Sequence, residues 1–244
     1  MNHPTRRPLR SLFTLLTVTF ICLAGCNPVY APPVRISQHG APHPVARGTA
    51  ELGGAIYGVN QPVGGAGAGS VAVTDRLGLE LGFDSTSVDF AMGHLGLRFT
   101  PKAVQLSNVA LEALIDLEFG GGAGAGGETC EEPAADDQSL AACAEDDRRW
   151  TERPAGGIYG GAGIGLRYRA VDVFYRLRFQ GTVATDVPLT FWHSSFLGLQ
   201  VRVLELLRIY SGAGFYSYRN RQDDFFVPYW EVGLSVFVVG NSSR

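Results

Sequence analysis

Lysine is almost absent from this 244-residue chain. Lys102 is the only one, so arginine supplies nearly every positive charge, and the formal net charge is only −3. A chain so close to neutral lacks the basic surface of a nucleic-acid-binding protein, so we expect no nucleic-acid partner. Arginine suits crowded ion pairs better than lysine, because its planar guanidinium can bind a carboxylate through two parallel hydrogen bonds.

The sequence also lacks the motifs that hold common cofactors and metals. The glycine-rich runs 65–69 and 160–165 have no helix pattern after them, which a phosphate-binding loop requires. Residues 128–147 are rich in carboxylates but lack the regular spacing of a calcium-binding loop, so a solvated acidic loop is expected there. We therefore predict no metal and no cofactor.

Cysteine is scarce, and its four positions fall into two groups. Cys22 and Cys26 lie close to the N-terminus, whereas Cys130 and Cys143 lie in one polar loop. No histidine or further cysteine accompanies the second pair, so a zinc site is not expected there. Outside the cytoplasm, two cysteines in one loop favour a disulfide, and we predict one between Cys130 and Cys143.

Residues 12–23 form an apolar run that is too short to cross a bilayer comfortably as a helix. Arginines within residues 6–10 precede it, which is the pattern of an export signal. The run leads into residues 23–26 (Leu-Ala-Gly-Cys), which resemble the lipobox of bacterial lipoproteins. This resemblance implies a signal peptide at residues 1–25 and a diacylglyceryl group on Cys26. An ordinary signal peptide without a lipid is the alternative.

The resemblance also implies a destination. Asn27 stands where an aspartate retains many such lipoproteins at the inner membrane, so delivery to the cell outer membrane is expected, with an anchor at Cys26. Residues 26–47 contain five prolines and no periodic pattern, which predicts an extended tether between the lipid and the folded domain. The folded domain is expected at residues 48–238, followed by a short tail at residues 239–244.

Within residues 48–238, apolar residues alternate with polar residues or glycines in about ten segments, each typical of a β-strand. The clearest hairpin lies in residues 157–182, where Leu177 and Phe179 alternate with Arg176 and Arg178. Successive side chains of a strand lie on opposite faces. One face of the hairpin is therefore apolar, and the other carries glycine and arginine.

The connections between these segments resemble those of outer-membrane β-barrels, in which short periplasmic turns alternate with longer external loops. Residues 231–238 also resemble the C-terminal assembly signal of such barrels, with a glycine followed by alternating apolar residues. The resemblance implies an all-β fold, a single antiparallel transmembrane β-barrel of about ten strands, with residues 120–154 as a long external loop. It also implies outer-membrane lipids and the barrel-assembly and lipoprotein-sorting machinery as partners.

A soluble, lipocalin-like barrel that binds a ligand and is tethered by lipid is the alternative fold. It would be apolar inside and charged outside, and alternation alone fits both arrangements. The polar faces of the strands are rich in glycine and nearly devoid of lysine, which is unusual for a surface in water. This composition favours the membrane barrel.

In a membrane barrel the polar faces point into the lumen. This places charges there from two regions of the chain: Glu112, Asp116, Glu118, Arg167, Arg169, Arg176 and Arg178. Buried charges need partners. Glycines 161, 163 and 165 lie between the acids and the last two arginines, so we hypothesise that Arg176 and Arg178 reach Asp116 and Glu118 across them. Such a lumen is either a filled, salt-bridged interior or a narrow charged pore.

One pair of residues resembles a catalytic motif. His193 and Ser195 are expected on the lipid-facing side of one strand, where outer-membrane lipid A deacylases carry a similar His-x-Ser pair. A serine nucleophile needs a base and the base needs a third group, but no acid is expected at the same height on the next strand. We therefore predict a non-enzymatic protein with a structural, surface-interaction or narrow-pore role. A lipid A deacylase-like enzyme that uses His193 and Ser195 is the alternative.

Overall fold

The computed structural model describes residues 30–43, 46–59, 63–86, 90–106, 110–126, 128–130, 148–150, 153–185, 187–219 and 224–239. These residues form thirteen β-strands: β1 (Thr49–Val59), β2 (Val63–Ala72), β3 (Leu77–Thr86), β4 (Phe90–Phe99), β5 (Val104–Gln105), β6 (Leu111–Gly126), β7 (Glu128–Cys130), β8 (Arg148–Trp150), β9 (Pro154–Tyr168), β10 (Val171–Ala184), β11 (Val187–Arg202), β12 (Leu207–Arg219) and β13 (Asp224–Val239). Within these ranges no helix is long and apolar enough to cross a membrane.

Ten of the strands close into one antiparallel barrel, which confirms the predicted fold class and strand number. Neighbours along the chain pair from β1 to β4 and from β9 to β13, while β6 pairs with both β4 and β9. The first and last strands then join, with Thr49 opposite Val239. β5 adds a two-residue pairing to β6, and β7 pairs with β8 in a separate two-stranded sheet.

The two faces of the barrel wall differ as the alternation predicts. In β4, buried and exposed residues alternate without interruption from Phe90 to Phe99. Large apolar side chains form the outer wall, including Leu81 (65% exposed), Phe119 (61%) and Leu197 (60%), whereas carboxylates and guanidinium groups are buried inside. A water-soluble barrel has the opposite arrangement, so this outer wall is suited to lipid and not to the lipocalin-like alternative.

The long connection between β6 and β9 is shorter than the sequence predicts. Residues 120–154 are expected as a loop, but β6 continues to Gly126 and β9 begins at Pro154. Gly126 pairs with Phe90 of β4, and Ala125 pairs with Pro154 of β9. A run of glycine and alanine shows no apolar–polar alternation, so only the pairing on both sides reveals it as a strand.

The largest departure from the expected organisation concerns residues 30–43, here called the lumen segment. The sequence assigns them to a tether outside the domain, but residues 31–43 are buried inside the barrel. Val34, Arg35 and Ser37 at the centre of the segment are fully buried. The segment is irregular and proline-rich, and its partners are wall side chains far away in the sequence, so no local pattern distinguishes it from a solvated tether.

The lumen segment runs the length of the barrel. At the end that carries the β6–β9 connection, here called the long-loop end, the ring of Tyr30 lies 5.4 Å from that of Trp192 and 5.2 Å from that of Tyr218. Trp192 is near the start of β11 and Tyr218 is near the end of β12, and both strand ends lie at the long-loop end.

The opposite end of the barrel, here called the turn end, holds the other end of the lumen segment. His43 Nε2 lies 3.3 Å from Glu51 Oε2 near the start of β1. The chain then reverses at residues 46–48, where the N–H of Gly48 donates to the carbonyl of Ala72 at 2.9 Å. β1 begins directly afterwards, so the segment that occupies the lumen precedes the first wall strand in the sequence.

Candidate functional site

The centre of the lumen is built around glycines of β9. Gly163 lies between Asp116 of β6 and Arg176 of β10 in the strand register. Gly161 lies in the same way between Glu118 and Arg178. An acid, a glycine and an arginine therefore stand side by side in two rows across three strands, and no side chain on β9 separates the charges.

Both arginines reach across β9 to the acids of β6. Arg176 Nη2 lies 2.6 Å from Asp116 Oδ2, and Arg178 Nε lies 2.5 Å from Glu118 Oε1. A Cβ atom on Gly161 would come within 2.7 Å of Glu118 Oε1, so this contact requires a glycine. The structure thus brings together four side chains that the sequence places on facing positions.

The lumen segment adds a further arginine. Arg35 Nη1 donates to Glu80 Oε2 at 2.8 Å and lies 3.4 Å from Glu118 Oε2, while its guanidinium lies 5.6 Å from the ring centre of Tyr159. Arg98 of β4 also contacts Glu80. We call the seven charged residues of this group the lumen cluster: Arg35, Arg98, Arg176, Arg178, Glu80, Asp116 and Glu118.

Every member of the lumen cluster is buried, with no more than 7% of its surface exposed. Removing such charges from water costs several kcal/mol each, and close opposite charges with further hydrogen bonds must offset that cost. Arg35 is the one member that the wall does not supply. The cluster therefore couples the lumen segment to the barrel wall by charge.

Wall side chains also take up main-chain hydrogen bonds of the lumen segment. The N–H of Arg35 donates to Gln180 Oε1 at 2.9 Å, and Gln180 Nε2 donates to the Arg35 carbonyl at 2.7 Å. Asp84 Oδ1 accepts the N–H groups of Ile36 and Ser37 at 3.2 and 2.8 Å. A main-chain group without a partner inside a membrane barrel costs several kcal/mol, so these contacts fix the path of the segment.

Glu231 of β13 gathers donors from both the segment and the wall. It accepts the hydroxyl of Ser37 at 2.8 Å and the N–H of Gln38 at 2.9 Å. The Tyr210 hydroxyl donates to Glu231 at 2.7 Å, and the Tyr229 hydroxyl also donates to it. These four donors are uncharged, so hydrogen bonds rather than an arginine stabilise this carboxylate.

The lumen segment changes direction at His39 and Gly40, whose φ angles are 49° and 78°. Arg176 Nε donates to the Gly40 carbonyl at 2.9 Å, and Gln200 Oε1 accepts the N–H of Ala41 at 3.1 Å. A Cβ atom on Gly40 would lie 2.5 Å from Gln200 Oε1. Both the backbone conformation and the close approach therefore favour glycine here.

Two predicted lumen charges lie nearer the turn end. Arg167 binds Asp172 through two hydrogen bonds of 2.7 and 3.1 Å and lies 3.7 Å from Glu112, whose side chain is 35% exposed. The prediction that Arg169 lies in the lumen is wrong. Arg169 is exposed in the β9–β10 turn, and its guanidinium lies 5.2 Å from the ring centre of Tyr168. The turn interrupts the alternation that assigned Arg169 to the lumen.

His193 and Ser195 lie on the outer wall of β11, between residues whose side chains point inward. The His193 ring stacks on Phe179 at 4.9 Å and meets the ring of Phe215 at 5.5 Å. Ser195 Oγ instead hydrogen-bonds the Tyr175 hydroxyl at 2.6 Å. In the described part of the chain no hydrogen bond joins His193 to Ser195 or to a carboxylate, although a serine nucleophile requires both contacts.

Other predicted sites lie outside the described residues. Cys26 and Cys143 are among these, and only the backbone of Cys130 is described, so the lipid and the disulfide stay predictions. Among the residues with described side chains, no group of three or more histidines, cysteines and acids is placed to hold a metal ion.

Sequence reasoning missed the contribution of the lumen segment and the wall residues that bind it. Arg35 lies in the stretch assigned to the tether, and Gln180 carries no motif. The available signal was composition, since residues 34–43 contain an arginine, a serine, a glutamine and two histidines, which a plain spacer does not need. These residues follow no period, so their common partner, the barrel wall, stayed hidden.

A closed antiparallel barrel with an apolar outer wall and a polar interior defines the class of membrane-spanning β-barrels. Solved structures of this class are similar in fold. The N-terminal β-barrel domain of Pseudomonas aeruginosa OprF is 10% identical over 78% of this chain and 99% of that one (TM-score 0.31). The KdgM porin is 9% identical over 76% of this chain and 98% of that one (TM-score 0.37). The outer membrane protease OmpT from Escherichia coli is 7% identical over 78% of this chain and 93% of that one (TM-score 0.31). No protein-family description and no curated protein matches the sequence.

Proposed function

We propose that the protein is an outer-membrane lipoprotein with a structural or surface-interaction role in the cell envelope. Its own lumen segment blocks the interior of the β-barrel to the passage of solutes. The observation that carries this proposal is the burial of residues 31–43 within the barrel. The apolar outer wall supports the membrane location. The lipobox at residues 23–26 supports a lipid anchor on Cys26.

The contents of the lumen favour this role over a narrow pore. Beside the lumen segment, two cavities of about 20 Å³ each lie among the described residues and share Glu51, Ser70, Glu80 and Arg98. A cavity of this size holds about one water molecule. Passage of a hydrated ion or a small solute needs a continuous water-filled path, and neither of these two cavities forms one.

Conductance measurements test the closed lumen. The purified protein should give no steady channel in a planar lipid bilayer. A variant that lacks residues 31–43 should conduct, provided that heat-modifiable gel mobility shows a folded barrel. Steady conductance of the intact protein would overturn the proposal, and so would a folded deletion variant that stays closed.

Metabolic labelling with a radioactive fatty acid tests the lipid anchor. The wild-type chain should incorporate the label, and the Cys26→Ala variant should not. Cys22→Ala is the matched control, because it removes a cysteine from the same region without touching the lipobox cysteine. Equal labelling of the two variants would contradict lipidation at Cys26.

A further inference from the structure

The end at which the lumen segment leaves the barrel determines the side of the membrane on which the N-terminus lies. Tyr30 contacts Trp192 at the long-loop end. The next residue, Ala31, is held there by two threonines: its N–H donates to Thr190 Oγ1, and Thr182 Oγ1 donates to its carbonyl, both at 3.2 Å. The described part of the lumen segment therefore begins at the long-loop end.

The long-loop end is the external end by the rule that outer-membrane barrels follow. Their periplasmic turns are short, their external loops are longer, and an even strand number leaves both barrel termini in the periplasm. Here β1 begins and β13 ends at the turn end, together with the connections 73–76, 100–110, 169–170 and 203–206, of which 100–110 is the longest at 11 residues. The connection 127–153 lies at the opposite end.

We propose that the residues before Tyr30, Cys26 among them, lie on the external side, so that the lipid anchor sits in the outer leaflet and the N-terminus is displayed at the cell surface. The lipid part of this inference rests on the proposed lipidation of Cys26. Four peptide steps separate Cys26 from Tyr30 and span at most about 14 Å. The apolar band of an outer-membrane barrel is about 25 Å tall, so from Tyr30 the lipid cannot reach the periplasmic leaflet.

The topology allows this path without threading a finished barrel. The lumen segment directly precedes β1, and the ring closes where β1 pairs with β13. The wall can therefore form around the segment, while Arg35 and Gln180 hold it in place. The periplasmic tether expected from the sequence would instead leave residues 30–43 below the turn end, without these contacts.

Cysteine accessibility in whole cells tests the proposal on the full chain, with Cys130 and Cys143 replaced by serine. A membrane-impermeant maleimide is applied before and after permeabilisation of the outer membrane. Pro28→Cys tests the N-terminus, Ser139→Cys reports the long connection, and Arg169→Cys reports the β9–β10 turn. Pro28→Cys should react in intact cells as Ser139→Cys does, whereas Arg169→Cys should react only after permeabilisation.

The proposal is overturned if Pro28→Cys reacts only after permeabilisation. It is also overturned if Arg169→Cys reacts in intact cells while Ser139→Cys reacts only after permeabilisation. If Pro28→Cys reacts under neither condition, a short epitope inserted between Asn27 and Pro28 is probed with an antibody on intact cells. Absence of antibody binding then overturns the proposal. Fatty-acid labelling of the same strains separates the two parts. A surface-reactive Pro28→Cys in a chain without lipid upholds the external N-terminus and refutes only the anchor.

Discussion

Replacing Glu118 with glutamine removes the acid that most of the lumen cluster shares. Glu118 lies 2.5 Å from Arg178, 3.4 Å from Arg35 and 3.5 Å from Arg176, and it is only 5% exposed. In the Glu118→Gln variant, the four arginines of the cluster face two carboxylates. Breaking a buried ion pair by removing one partner costs about 3–5 kcal/mol, so we expect the free energy of unfolding to fall by about that amount.

Glu112 provides a matched control on the same strand. Glu112→Gln is the same chemical change at a side chain that is 35% exposed and lies 3.7 Å from Arg167. A solvent-accessible ion pair contributes about 0–1 kcal/mol to stability, and in this variant Arg167 keeps its two shorter hydrogen bonds to Asp172. We therefore expect the free energy of unfolding of this variant to stay close to that of the wild type.

Urea titration of the folded proteins in phospholipid vesicles measures both effects, with tryptophan fluorescence and the heat-modifiable gel band as signals. A difference of about 3 kcal/mol between the variants corresponds to a change of roughly a hundredfold in the unfolding equilibrium constant. Equal midpoints, or a difference below about 1 kcal/mol, would refute a buried and mutually paired lumen cluster.

Three further predictions concern other contacts, and each is tested by substitution. Gly161→Ala should destabilise the barrel by about 1–3 kcal/mol because its Cβ would meet Glu118. Gly160→Ala is the control: its Cβ would have its nearest neighbours at 3.8 Å, so stability should change by less than about 0.5 kcal/mol. Equal effects of these two variants in urea would contradict the glycine rows. Gly40→Ala should loosen the lumen segment, because a φ of 78° costs alanine about 1–2 kcal/mol, and intermittent channel openings should appear in planar bilayers; a variant as silent and as stable as the wild type would contradict this. His193→Ala should leave lipid A acylation unchanged by mass spectrometry, while a gain of acyl chains would favour the deacylase alternative.

The two-residue period of a strand determines much of the barrel wall from the sequence alone. In residues 157–182 it puts Arg176 and Arg178 on one face and apolar side chains on the other, and only a barrel with lipid outside gives both faces suitable surroundings. Neighbouring segments pair in a barrel, so the same pattern places Asp116 and Glu118 across the glycines of β9. The glycine-rich end of β6 escaped prediction because residues without side chains show no alternation.

The tertiary structure alone decided what fills the barrel. Arg35 and Gln180 exchange two hydrogen bonds although they lie 145 positions apart. The partners of the lumen segment include residues on β1, β3, β6, β9, β10, β11, β12 and β13, which come together only when the barrel closes. An extended proline-rich chain has the same local sequence in water and in a lumen, and only the partners of its N–H and C=O groups differ. The sequence therefore determined a barrel with two unlike faces, whereas long-range hydrogen bonds and ion pairs decided that residues 31–43 of the same chain occupy its lumen.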